Sequence, residues 1–311
     1  MMKSSNIEVS SRRKTWYSRL LFTVVLISVL YYIFDTVKDV SRYHYPIHWG
    51  YLVLSFIFTV LAYLMQLVIW IRLAEAFDLR ASLLSSAKAW SLSQLGKYVP
   101  GKAGLFLVRF DVYAGASKRK IAVATGIEFM ASMAAACILV LLAIIFLPHE
   151  IPQVIRWTAA ISTTIFLIAL YPPVFKMFTN WAFRLIKREP LRDAPTFGLL
   201  LGLVGANMLV ALPYGLGLFF AFKCFYPISW QYFMTITSVY YAAALVGVAA
   251  IFAPAGIGVR EGIVFLILPS LIPKTAVVFS TIVTRIIITV AEICLAVLFT
   301  VMGKKATNRS G

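Results

Sequence analysis

Acidic side chains are scarce in this sequence. Its 311 residues hold Asp+Glu 12 against Lys+Arg 29, and only 13% are charged. A soluble domain carries about 25% charged residues and about 45–50% apolar ones. Here the hydrophobic set reaches 61%. A globule of this size could not hide that much apolar surface from water, which excludes a cytosolic enzyme and a disordered chain. Cysteine is nearly absent as well. Cys137, Cys224 and Cys294 are widely spaced inside apolar runs, with no CxxC pair and no neighbouring histidine. That excludes a disulfide-stapled module and leaves no metal motif. Of the three histidines, His44 and His48 stand four apart but enclose Pro46, which prevents a regular helix from aligning them on a metal. No Asp-x-Asp pair, HExxH or Gly-x4-Gly-Lys-Ser/Thr loop occurs, so neither an ATP site nor a cofactor is expected.

What the sequence has in abundance is long apolar runs. A spanning helix needs about 20 such residues. Stretches 20–34, 50–71, 121–147, 157–175, 197–222 and 276–302 meet or approach that length. The first follows a basic tail over 1–19, and no small-x-small cleavage site comes after it, so it reads as an uncleaved signal anchor. With the N-terminus in the cytoplasm, segments 1–19, 72–120, 176–196 and 303–311 hold 22 of the 29 basic residues. This bias puts both termini on the cytoplasmic side of the cytoplasmic (inner) membrane. Net charge +17 would suggest nucleic acid in a soluble protein. Confined to the ends of apolar runs it sets membrane orientation instead, and no nucleic-acid partner is expected.

Two regions are not simple spans. Residues 81–117 are broken by Gly96-Lys97-Tyr98-Val99-Pro100-Gly101-Lys102, and residues 228–273 by Pro254-Ala255-Gly256-Ile257-Gly258. Proline removes an amide donor and glycine loosens a helix, so each region reads as a hairpin that enters the membrane, breaks and returns. Such backbone is tolerated only inside protein or beside a watery cavity. The breaks share the order aromatic, aliphatic, Pro, small, x, x, Gly, and their prolines are 154 residues apart. One opens from the cytoplasmic side and the other from outside. Matching breaks of opposite orientation point to inverted repeats and to a binding site between them. The expected fold is therefore all-α and polytopic, with about six full spans and two re-entrant hairpins. Its single transmembrane domain covers 20–302, with repeat halves near 50–147 and 197–302, followed by a tail at 303–311.

These breaks carry a resemblance. Tyr98-Val99-Pro100-Gly101-Lys102, Arg109, Gly115-Ala116-Ser117 and Glu128 look like the first-half pattern of the lysylphosphatidylglycerol synthase transmembrane-region family, the flippase-like membrane proteins. Phe252-Ala253-Pro254-Ala255-Gly256-Ile257-Gly258-Val259-Arg260-Glu261-Gly262 resembles its second-half motif, Pro-Gly-Gly-x-Gly-x-Arg-Glu, with Ala255 in place of a common glycine. Arg285 resembles an arginine of the last helix. The resemblance runs from about 15 to 302. The soluble aminoacyl-transferring domain would begin after about 303, and the sequence ends at Gly311. The resemblance thus implies lipid translocation without the synthase activity.

Charges inside apolar sequence cost at least about 2.5–3.5 kcal/mol each on insertion scales, so they are expected to have partners or a ligand. Arg285 is expected near mid-depth, with Glu292 two turns on along the same face. Arg285 would pair with Glu261 or with a ligand anion, and Glu128 with Arg109 or Lys102. A headgroup phosphate wants amide donors and guanidinium forks, which restarting helices and arginines supply. The expected substrate-binding set is Lys97, Pro100, Gly101, Lys102, Arg109, Glu128, Pro254, Gly256, Gly258, Arg260, Glu261 and Arg285. The partner is a phospholipid or a polyprenyl-phosphate-linked substrate. Alternatives are a membrane transferase using Glu261 or Glu128 as base, and an accessory subunit of an envelope glycolipid assembly complex beside a glycosyltransferase or a second copy. Buried Arg–Glu pairs that only fix helix register would explain the same charges. Gly198, Gly202, Gly205, Gly215 and Gly217 suit close helix packing. Trp16, Trp49, Trp70, Trp157, Trp181 and Trp230 read as interfacial anchors, and Arg184, Lys187, Arg188 and Arg192 as a patch beside anionic headgroups.

Overall fold

A computed structural model describes residues 47–79, 81–98, 103–113, 115–146, 153–185, 195–249, 256 and 258–307. The expected first span 20–34, the tail 1–19, Pro100, Gly101, Lys102 and Pro254 lie outside the described residues. Every regular element among the described residues is helical. In order these are α1 (Trp49–Ala76), α2 (Leu83–Leu95), α3 (Ala103–Val112), α4 (Lys118–Phe146), α5 (Gln153–Leu170), α6 (Pro172–Leu185), α7 (Phe197–Lys223), α8 (Phe233–Ala249), α9 (Val259–Ile267) and α10 (Lys274–Thr307). Among the described residues five helical stretches are long and apolar enough to cross a membrane, or six if a bent pair counts as one. This is a multi-pass membrane protein.

The surface is the inverse of a soluble protein's. Val53, Ile57, Val68, Ile161, Ile165, Leu209 and Val297 face outward, while Ser55, Thr59, Thr125, Glu128, Asn207, Thr281 and Glu292 are buried. In lipid, polar atoms must find partners inside, and apolar ones may stay out. The α4 helix is the most enclosed, with 56% of its apolar window inside the protein against 28% for α1. Small residues set the tightest crossing. Ser55 Oγ of α1 donates to the Gly217 carbonyl of α7 at 2.6 Å. A Cβ at Gly217 would stand 2.7 Å from Thr59 Oγ1. Gly215 meets Thr237 of α8 in the same manner, whereas an added Cβ at Gly198, Gly202 or Gly205 would meet nothing within 4 Å among the described residues. Further along, Gln66 Nε2 donates to Asn207 Oδ1 at 2.9 Å, a second polar tie between α1 and α7.

Several boundaries differ from the sequence expectation. The run 157–175 is not one straight helix: α5 ends at Leu170, and the chain turns by 81° into α6. Pro172 and Pro173 open α6. They supply no amide donors to α5 and push the preceding residue out of the helical region. The stretch 228–273 is asymmetric. Its first arm, Trp230–Ala249, is long enough to cross by itself, and its second arm, α9, has 9 residues. In the first hairpin both arms are short, α2 with 13 residues and α3 with 10. At about 1.5 Å per residue neither crosses about 30 Å of hydrocarbon. The final helix continues to Thr307, past the expected boundary at 302.

Candidate functional site

The first hairpin closes backbone to backbone. A Cβ at Gly96 would lie 2.5 Å from the Gly104 carbonyl carbon, so α2 and α3 approach as only glycine allows. This brings Arg109 of α3 beneath α2 and against α4. Its Nη1 donates to Glu128 Oε2 at 2.6 Å and to Thr125 Oγ1 at 3.1 Å, and its Nε donates to Ser93 Oγ at 3.1 Å. The guanidinium carbon sits 3.6 Å from the Trp70 ring centroid. Trp90 Nε1 donates to the other Glu128 oxygen at 2.9 Å. Nearby, Trp70 Nε1 donates to Tyr113, whose hydroxyl donates to Ser86. Arg109 is fully buried and Glu128 nearly so. The two expected site residues therefore neutralise each other inside the fold and tie α2, α3 and α4 together. The alternative partner of Glu128, Lys102, lies outside the described residues. Trp70 is a correction: it is buried and stacks on Arg109 rather than anchoring at an interface. Trp49, Trp157, Trp181 and Trp230 are exposed.

A second cluster gathers on α10. Glu292 has a fully buried carboxylate. It accepts from the Lys97 ammonium, from the Tyr63 hydroxyl at 2.5 Å and from the Tyr98 hydroxyl at 3.1 Å. Tyr98 also meets Thr289 Oγ1 at 3.3 Å. Lys97 and Tyr98 belong to the tip of the first hairpin. Two turns earlier on α10, Arg285 Nε donates to Glu261 Oε1 of α9. The other Glu261 oxygen accepts from the Gly258 amide at 2.7 Å. Gly258 has φ +83°, a left-handed turn that suits glycine and starts α9. An N-terminal carboxylate folded back on the first amide is half of a capping box, and it stabilises the restart after the break. Thus α10 holds the first hairpin through Glu292 and the second through Arg285.

Arg260 differs from its neighbours. Its stem lies in a slot between Gly247 of α8 and Gly256 of the break. A Cβ at Gly247 would stand 2.6 Å from Arg260 Cγ, and one at Gly256 2.9 Å from Arg260 Nε. Gly256 itself has φ +70°. The Nε of Arg260 is buried and has no hydrogen-bond partner among the described residues. The charges of Arg285 and Glu261 and the neutral hydroxyls of Tyr214 and Tyr63 lie near it, and Lys97 in turn is within reach of Arg260 and Arg285. Among the described residues the cluster therefore sets Lys97, Arg260 and Arg285 against Glu261 and Glu292, one positive charge in excess, lined by the hydroxyls of Tyr63, Tyr98 and Tyr214. The two networks adjoin. The Trp90 ring meets Tyr63 edge-on, with centroids 6.1 Å apart.

Of the expected site residues, Lys97, Gly256, Gly258, Arg260, Glu261 and Arg285 come together, and Arg109 with Glu128 forms the adjoining buried network. Tyr63, Tyr98, Tyr214, Gly247, Thr289 and Glu292 complete the arrangement without having been in the expected set. Among them Tyr98, the aromatic of the first break, and Glu292, a carboxylate at seven-residue spacing from Arg285, carry a sequence signal. Among the described residues no cluster of His, Cys, Asp and Glu is arranged to hold a metal. No protein-family model and no curated protein sequence matches the chain.

Proposed function

We propose that the protein translocates an anionic lipid headgroup across the cytoplasmic membrane, of a phospholipid or a polyprenyl-phosphate-linked substrate. Arg260 is the observation that carries this reading. Its partly buried stem lies in a slot two glycines leave open, with Nε buried and unpartnered and, among the described residues, no carboxylate bonded to it. Burying a charge that way is costly unless an anion completes it. A phosphate monoanion balances the single excess positive charge, and a guanidinium fork matches its oxygens. The tip of the first hairpin and the start of α9 both meet α10 at this cluster, as expected for inverted repeats around a central site. The resemblance to the flippase-like family agrees. Both termini are cytoplasmic in this reading, from the basic bias.

The engagement of the carboxylates favours translocation over transfer chemistry. Glu261 accepts from Arg285 and Gly258, and Glu128 from Arg109 and Trp90. Neither is left to act as a general base. An accessory role in an assembly complex is the second reading. The face of Gly198, Gly202 and Gly205, which no described residue covers, favours it, and co-purification of a neighbouring glycosyltransferase would support it.

The test is a proteoliposome assay. Protein reconstituted with a fluorescent phosphatidylglycerol is challenged with an impermeant quencher, and the rate at which inner-leaflet lipid becomes quenchable is measured. Arg260→Ala should slow that rate about tenfold or more, the worth of one charge-assisted contact. Its thermal midpoint should stay within a few degrees of wild type. A wild-type rate in Arg260→Ala, at equal protein density, refutes the proposal.

A further inference from the structure

The segment that departs from its expected span has an arrangement of its own. Immediately after the 81° turn at Tyr171, α6 presents three distinct sectors. Phe175 and Phe183 lie on one side and pack into the core, with Phe175 buried and Phe183 beneath the Arg119 guanidinium, 5.4 Å from ring centroid to carbon. Lys176, Asn180 and Arg184 follow at four-residue intervals along a polar side. Met177, Phe178 and Trp181 form a third side and are 59%, 56% and 61% exposed. At 100° per residue these three groups fall in separate arcs of the helix. The exposed arc continues the outward face of α5, where Trp157, Ile161, Ile165 and Ile168 are exposed, through Tyr171.

We infer that α6 does not cross the bilayer but lies along its surface, with Met177, Phe178 and Trp181 sunk among the acyl chains and its basic edge on anionic headgroups. With α5, 18 residues long, as the crossing arm, a helix turned from it by 81° runs nearly parallel to the membrane plane. Continuity with the apolar face of α5 places its exposed arc at the level where that face enters lipid. An exposed row of Met, Phe and Trp beside a basic edge is the composition of interfacial helices. The charge that selects the lipid comes from two elements. Arg184 is exposed on α6, and the Arg119–Phe183 contact brings the first turn of α4 alongside, where Lys118 is also exposed. Basic residues next to a spanning helix favour anionic lipid by roughly fivefold each. This inference stands apart from the translocation reading, since no residue of the Arg260 cluster takes part.

The experiment uses the full chain in vesicles. Cys294→Ser removes the exposed thiol, leaving Cys137 and Cys224 buried. Phe178→Cys, Trp181→Cys and Arg184→Cys then receive a spin label in phosphatidylcholine–phosphatidylglycerol vesicles. Labels at 178 and 181 should collide chiefly with dissolved oxygen, at a depth about 5–10 Å below the headgroup boundary, and the label at 184 chiefly with an aqueous nickel complex. Water-like collisions at 178 and 181 overturn the inference. So does a bilayer-centre signal at 184, which would make α6 part of a span. Shielding of 178 and 181 from both agents overturns it too, because protein would then cover that face. For lipid selection, Lys118→Gln with Arg184→Gln should cut the preference for spin-labelled phosphatidylglycerol over phosphatidylcholine several-fold. An unchanged preference overturns the anionic half of the inference.

Discussion

Replacing Glu292 by Gln removes the charge that holds the tip of the first hairpin to the last helix while keeping nearly the same shape. The wild-type carboxylate is fully buried and accepts from Lys97, Tyr63 and Tyr98. The glutamine oxygen can still accept from the tyrosines, but its amide group faces the Lys97 ammonium with donors of its own. The local cluster then carries three cations and one carboxylate. Breaking a buried ion pair on one side costs about 3–5 kcal/mol, because the remaining charge is left uncompensated. The Lys97 side chain is 25% exposed, so water relieves part of that and the lower end of the range applies. Lys97→Met should cost less, about 1–3 kcal/mol, since the carboxylate keeps its two tyrosine donors. The double variant removes both charges and should cost less than the sum of the singles, with a coupling of about 2 kcal/mol. Denaturant unfolding in detergent micelles, followed by tryptophan emission, measures all four proteins. Additivity of the two single changes within about 0.5 kcal/mol would show that Lys97 and Glu292 do not act as a pair, and the latch would have to be abandoned.

Gly247→Ala separates function from stability. The new methyl would collide with Arg260 Cγ at 2.6 Å, but that side chain is flexible and can swing aside. Alanine also gains about 1 kcal/mol of helix propensity over glycine. Thermal stability should thus stay near wild type while lipid translocation falls about tenfold, as for Arg260→Ala; normal translocation in this variant would mean that Arg260 need not occupy its slot. Arg109→Met and Glu128→Gln, by contrast, should each lose about 3–5 kcal/mol with much of that recovered in the double change. Translocation per folded molecule in the double variant should match wild type in the same proteoliposome assay, as an internal tie requires.

Helical class and membrane residence follow from the sequence through composition and run length, because hydrocarbon leaves a backbone few alternatives to helix. The runs around 50–71, 121–147, 197–222 and 276–302 each lie in a long helix. Arg260, Glu261 and Arg285 stand out because charges in apolar sequence are costly and so demand a reason. Other features were not legible. Tyr63 and Tyr214 look like ordinary membrane tyrosines, and only their convergence on one carboxylate or guanidinium distinguishes them. Nothing local marks Gly247 as the wall of an arginine slot, or Trp70 as a platform for Arg109. The bend follows two prolines, Pro172 and Pro173, within an apolar run, and the packing of Phe175 and Phe183 fixes the direction of α6.

The linear order of residues thus determined how much of the chain enters lipid and which charges it must carry there, since transfer of each side chain into hydrocarbon is a local property. The fold decided between the possible pairings. Arg109 is closed against Glu128, Lys97 against Glu292 and Arg285 against Glu261, while Arg260 is left between two glycines. A charge in low dielectric is governed by whatever lies within a few ångströms, and those neighbours come from positions up to 229 residues away.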